Sequence, residues 1–202
     1  MNDLHPTDRQ DVTPPRRTPP RATTPGDGHP IVVVNGLPGA GKTTVAAALG
    51  RRFARAAVVE GDRLQNDLIV SGGVDVGEEP ADEGWRQLSL RWANIAALAV
   101  NLDDAGFTVV VDSLTIPSLL QTLRESTGDR PLAYVHLDPS ITVRRARDAA
   151  RGVRAIGDRH DAIASEFEPL RGRGVWIDSS DLDVETTVDA AHDAVVSGRA
   201  TL

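Results

Sequence analysis

From His29 onward, short apolar runs alternate with longer stretches of helical period. Ile31-Val32-Val33-Val34 is an unbroken β-branched run, the pattern of a strand buried on both faces. Residues 42 to 54 follow, rich in alanine and with Val45, Leu49 and Phe53 four apart, which predicts a helix. Val58-Val59 reads as a second, short strand. Residues 85 to 104 predict a long helix with Leu88, Trp92, Ile95, Ala99 and Leu102 on one face and Gly106 just past its end. Residues 107 to 111, 132 to 137 and 175 to 177 predict the third, fourth and fifth strands. Ser140 is placed to cap a helix running through Arg151, and Asp183 one reaching about Val196. Strands that alternate with helices, and are too continuously apolar for a one-sided sheet, predict an α/β fold with a parallel sheet.

Residues 1–28 break this pattern. They hold Pro6, Pro14, Pro15, Pro19, Pro20 and Pro25, and their charges cancel between four aspartates and four arginines. With almost no large apolar residue after Leu4, the segment cannot offset the entropy of ordering, so it is expected to be a disordered proline-rich tail before a domain at 29–202. The formal charge of −7 therefore falls within that domain, which disfavours broad binding to nucleic acid. No apolar run is long enough for a membrane span, and the polar N-terminus lacks the apolar core of a secretory signal. The absence of cysteine excludes disulfides, thiolate zinc sites and a cysteine nucleophile. A cytoplasmic protein without membrane attachment is the expectation, with homodimerisation left open.

Charge matters most at one point: of 22 basic residues, only Lys42 is a lysine. It sits in Gly36-Leu37-Pro38-Gly39-Ala40-Gly41-Lys42-Thr43-Thr44, which satisfies G-x-x-x-x-G-K-[ST] between a predicted strand and a predicted helix. Glycines let successive backbone N–H groups turn inward around a phosphate, and the helix adds its positive end. Lys42 brings a mobile charge to the β- and γ-phosphates, and the Thr43 hydroxyl can ligate Mg²⁺. Nucleoside triphosphate binding follows.

From this motif, residues 30–197 resemble the P-loop small-molecule kinases, the group that contains chloramphenicol phosphotransferase, gluconate and shikimate kinases and the zeta-type toxins. The resemblance implies a three-layer fold with a five-stranded parallel sheet in the order 2-3-1-4-5, a helical lid near residues 144–160, ATP as donor and Mg²⁺ as cofactor. It also implies a carboxylate after the second strand that orients or deprotonates the acceptor hydroxyl. In Glu60-Gly61-Asp62 the matching residue is Asp62, with Glu60 as runner-up on the same side if the strand continues that far. Asp112, closing the third strand, resembles a Walker B acid; a metal role and an acceptor role both remain open, and Ser113 is a further substrate-contact candidate. Arg144, Arg147, Arg151 and Arg154 are spaced to share one helical face. The family's lid falls here, and Arg147 and Arg151 best match its arginines near the adenine and the transferring phosphate. Arg159 is a further contributor from the same stretch.

Asp178-Ser179-Ser180-Asp181 reads equally as the turn that flanks the adenine in resembling kinases and as a helix cap. His136, His160 and His192 have no metal-ligand spacing. The stretch Ser71 to Gly84 carries Asp75, Glu78, Glu79, Asp82 and Glu83 without a basic residue and is expected to be a loop. Its charge would repel an anionic acceptor, leaning towards a neutral or amine-bearing one such as an antibiotic. The expectation is thus a small-molecule kinase acting on a hydroxyl. A zeta-type nucleotide-sugar kinase and a non-kinase ATPase or nucleotide-dependent regulator share the motif.

Overall fold

The computed structural model describes residues 29–150 and 164–202. Arg151, Arg154, Arg159, the expected outer lid and the expected 1–28 tail lie outside the described residues. Five strands, β1 (Ile31–Gly36), β2 (Ala56–Glu60), β3 (Thr108–Asp112), β4 (Leu132–Leu137) and β5 (Val175–Ile177), form one sheet. All its pairings are parallel, and the order is β2-β3-β1-β4-β5. Strand β1 sits at the centre, and its side chains divide strictly between two layers. Ile31 and Val33 enter one core with Trp92, Ile95 and Leu123, while Val32 and Val34 enter the other with Val45, Leu49 and Val188. That two-sided burial is why the strand reads as an unbroken apolar run.

One layer carries α1 (Lys42–Gly50) and α6 (Val184–Val196); the other carries α3 (Ala81–Asp104) and α4 (Pro117–Thr127). Two shorter helices, α2 (Gly61–Asn66) and α5 (Ile141–Ala149), follow β2 and β4, and a 3-10 turn spans Ser165–Leu170. Both expected caps form: Asp183 accepts from the Thr186 N–H at 2.7 Å, and Ser140 from that of Val143 at 3.4 Å. Gly106 closes α3 with φ 78° and an N–H donated to Asp103 at 2.8 Å.

The departures have local causes. Helix α1 stops at Gly50 rather than residue 54, because Arg51 and Arg52 turn their N–H groups back to Ala48 and Leu49 and the chain then enters β2. Helix α3 begins at Ala81, so Asp82 and Glu83 of the expected loop occupy its first turn, where the helix dipole favours acids. Helix α4, absent from the sequence expectation, carries Leu119, Leu120 and Leu123 on its buried face behind Pro117 at its first position.

Trp92 is fully buried between α3 and the sheet, and its indole N–H donates to the Leu114 carbonyl at 3.3 Å. Trp92→Ala is expected to lower unfolding free energy by roughly 3–5 kcal/mol, read from urea unfolding monitored by far-UV circular dichroism.

Candidate active site

The turn after β1 takes its shape from glycines in two tight places. Gly36 has φ 150°, and a β-carbon there would lie 2.7 Å from the Leu137 carbonyl oxygen on β4. Gly39 has φ 78°, and a β-carbon there would overlap the Arg144 carbonyl oxygen. Leu37 and Ala40 anchor the turn in the two cores, Pro38 bridges them, and Gly41 caps α1 in the left-handed region. Lys42, Thr43 and Thr44 open α1, and the Lys42 ammonium donates to the Gly36 carbonyl at 2.9 Å and the Leu37 carbonyl at 3.4 Å. The loop is thus drawn around the lysine, with the positive end of α1 beneath it.

Asp112 comes next to this cradle by register, since Val34 pairs with Asp112 across β1 and β3, and Glu60 pairs with it across β2 and β3. The Asp112 side chain is buried and bonded to the Thr43 side chain. Burial raises its pKa above the usual aspartate value; the Thr43 bond and Lys42 charge oppose that rise, while Asp62 and Glu60 add to it. A buried carboxylate bonded to the motif threonine supplies two hard oxygen donors, a set that suits Mg²⁺ when phosphate oxygens complete its shell. Among the described residues, no three histidine, aspartate or glutamate side chains gather into a cage of their own.

Strand β2 ends at Glu60, so Asp62 lies in the first turn of α2 and the two do not share a strand face. The Asp62 side chain is 83% exposed and accepts from Arg91 at 3.3 Å. Arg91, on α3 and only 12% exposed, also reaches Asp75 at 3.4 Å, tying the acidic loop to the candidate base. Gln87 holds the same loop from beneath: it donates to the Gly72 carbonyl and accepts from the Val74 and Gln65 amides. Most loop carboxylates have local partners: Glu78 accepts from the Asp75 N–H, Glu79 from the Ala81 N–H, and Glu83 from Gln87 and Arg86. None of Arg91, Gln65 and Gln87 was anticipated, although Arg91 borders the predicted apolar face of α3.

Ser113, expected to meet substrate, is instead buried under α2 against Gly61. The expected four-arginine face also divides. Arg144 is buried behind the phosphate loop with its Nε donating to the Pro139 carbonyl at 3.1 Å. Arg147 donates to the Ser179 carbonyl at 3.4 Å and lines a cavity of about 170 Å³ with Gly41, Thr44 and Asp183. A larger cavity of about 320 Å³, beside Arg124, Leu132 and Gly174, shares no residue with that region. His136 is buried, bonded to the Tyr134 hydroxyl and stacked on Trp176, and burial lowers its pKa to about 3.

Residues 31–173 match the family model described as an AAA domain. The chain belongs to the AAA-domain family. Solved structures similar to this AAA-domain chain include a sugar kinase from Janibacter sp. HTCC2649, 22% identical over 87% of this chain and 100% of that one, with TM-score 0.65. A gluconokinase from Sinorhizobium meliloti 1021 is 24% identical over 83% and 92%, with TM-score 0.59. A shikimate kinase from Acinetobacter baumannii is 16% identical over 84% and 94%, with TM-score 0.62. The fold of this AAA-domain protein is thus the one found in P-loop small-molecule kinases. No curated protein matches the chain. Among the described residues, no helix is long and apolar enough to cross a membrane.

The Asp112 shift carries a stability consequence. A carboxyl whose pKa is raised by folding favours the native state when protonated, and that stability is lost as pH rises through its folded pKa. Without nucleotide, Asp112→Asn is expected to melt higher than wild type at pH 7, with the gap closing as pH falls towards the ordinary aspartate range. Melting curves across pH check this.

Proposed function

We propose that this protein transfers the γ-phosphoryl group of ATP to a hydroxyl of a small molecule. The observation that carries the reading is a division among carboxylates at one sheet edge. Asp112 is buried against Thr43 and near Lys42, on the phosphate side, whereas Asp62 is exposed beside the 71–80 loop. Those placements suit different tasks. Asp112 and Thr43 would hold Mg²⁺, which supplies charge neutralisation between the β- and γ-phosphates when bound. Asp62 would accept the proton of the attacking hydroxyl, and the backbone of residues 36–44 would orient the triphosphate. Lys42 would exchange its carbonyl partners for phosphate oxygens, so the charge it brings is greatest where negative charge develops.

Arg147, beside Gly41 and Thr44, would contact the nucleotide beyond its phosphates, and Arg151, four residues later in sequence, would donate to the transferring group. The acceptor is a neutral or amine-bearing metabolite or antibiotic. Glu60, Asp62 and Asp75 share Arg91 and Arg63 as their cationic partners, which leaves the acceptor side negative. The known acceptors of structurally similar kinases, sugars and shikimate, set the chemical range to screen around that preference.

The test is ADP release from MgATP against aminoglycoside, phenicol and nucleoside antibiotics, sugar acids, nucleosides and nucleotide sugars. Accelerated release, with one phosphoryl group gained by the acceptor in mass, is the expected result. Asp62→Asn should cut that turnover by roughly 100- to 10,000-fold with little change in MgATP affinity. Lys42→Ala should impair both binding and turnover. Transfer that survives in Asp62→Asn would move the base role to Glu60, and hydrolysis indifferent to every acceptor would favour the regulator reading.

A further inference from the structure

Strands β2 and β3 leave the sheet side by side. Glu60 and Asp112 are their last paired residues, and the next residue on each is small: Gly61 and Ser113. Both are buried, Ser113 to 3% exposure. A β-carbon on Gly61 would overlap the Ser113 hydroxyl oxygen, lie 2.9 Å from the Ser113 β-carbon and lie 3.2 Å from Ile95 Cδ1. Rotating the serine relieves only the first conflict. The Ser113 β-carbon is fixed by the backbone leaving β3, and Ile95 belongs to the packed core. Gly61 opens a helix and is not among the residues with positive φ, so the position demands space rather than conformational freedom. The Ser113 hydroxyl has no hydrogen-bond partner among the described residues, so its contact with Gly61 is steric.

We infer that Gly61 and Ser113 form a positioning lock that seats the first turn of α2 against the end of β3 and so sets the spacing between Asp62 and Asp112. The inference rests on the phosphoryl-transfer reading above. Three carboxylates meet at this edge: Glu60 and Asp112 are paired across β2 and β3, Asp62 follows in the first turn of α2, and like charges repel. Repulsion of that kind separates side chains unless the backbone beneath them is held. Helix α2 cannot hold itself, because it has six residues and no side-chain cap. Its Arg91 contact is long at 3.3 Å and lies at the solvent side. Leu64 and Gln65 tie the later part of α2 to the core and to Gln87 of α3, and the close approach of Gly61 to Ser113 is the contact that seats its first residue. Gly61 and Ser113 touch no reacting atom and act through Asp62.

The experiment compares wild type, Gly61→Ala and the double variant Gly61→Ala/Ser113→Gly. It measures melting temperature, MgATP Kd, and steady-state MgATP turnover with water as the acceptor. Gly61→Ala should bind MgATP as wild type does while its kcat falls roughly 10- to 100-fold, since displacement by about an ångström is enough to cost that much. Removing the Ser113 side chain should recover most of the rate. A purely structural role would lower melting temperature and nucleotide affinity together and would not leave a kcat-only defect. Gly61→Ala turning over at the wild-type rate overturns the lock, as does a folded double variant no faster than the single one. If Gly61→Ala fails to fold, the double variant decides: folding regained with turnover supports the lock, and folding regained without turnover overturns it. Lys42→Ala is measured beside them, and turnover equal to wild type in that variant overturns the transfer reading and the lock with it, which distinguishes that failure from failure of the lock alone.

Discussion

Placing an ionisable carboxylate in the buried end of a parallel sheet is the constraint on which this site depends. Because β1, β2 and β3 run in one direction, their carboxyl ends bring Gly36, Glu60 and Asp112 to the same edge. Burial works against a charge on Asp112, and so do the neighbouring acids. Thr43 and Lys42 oppose that cost from the first turn of α1. The phosphate loop and the acidic edge are therefore one electrostatic unit, in which the lysine and the helix end offset the carboxylates.

The two apolar layers make the arrangement rigid enough to persist. Each side chain of β1 from Ile31 to Val34 is buried, and Leu37 and Ala40 fasten the loop to opposite cores. Asn35 adds a polar fastening. Its amide donates to the Thr115 carbonyl and the Tyr134 hydroxyl, both at 2.8 Å, and accepts from the Thr115 N–H at 3.0 Å. The residue before the phosphate loop thus clamps the segment that follows Asp112 and Ser113. Paired fully, such a buried network favours one arrangement of the edge over its neighbours.

Much of this was legible in sequence, for identifiable reasons. Strand β4 and strand β5 were read to the residue because their apolar runs are bounded by turn-forming residues, and the caps Ser140 and Asp183 announced α5 and α6. The turn from Gly36 to Lys42 between β1 and α1 was readable because the motif's glycine spacing announces it. Tertiary context hid the rest. Ser113 looks like a substrate contact from its position after Asp112, and only the approach of Gly61 reveals that it is covered. Arg144 looks like part of a charged stripe, yet the helix turns it beneath Gly39. The acidic loop read as a free negative surface, whereas Arg91, Gln87 and local N–H groups engage most of its carboxylates. Arg91 lies 16 residues from Asp75, and the N–H partners of Glu78 and Glu79 arise from the folded turn itself, so no periodicity signals them.

The most direct test of the central claim is calorimetric titration of ATP with and without Mg²⁺ into wild type, Thr43→Val and Lys42→Ala. The account predicts one saturable site that Mg²⁺ tightens in wild type. In Thr43→Val the Mg²⁺ gain should disappear while metal-free binding remains, and in Lys42→Ala binding should weaken in both conditions. Mg²⁺-independent affinity that is equal in all three proteins would contradict a phosphate site built from Lys42, Thr43 and Asp112.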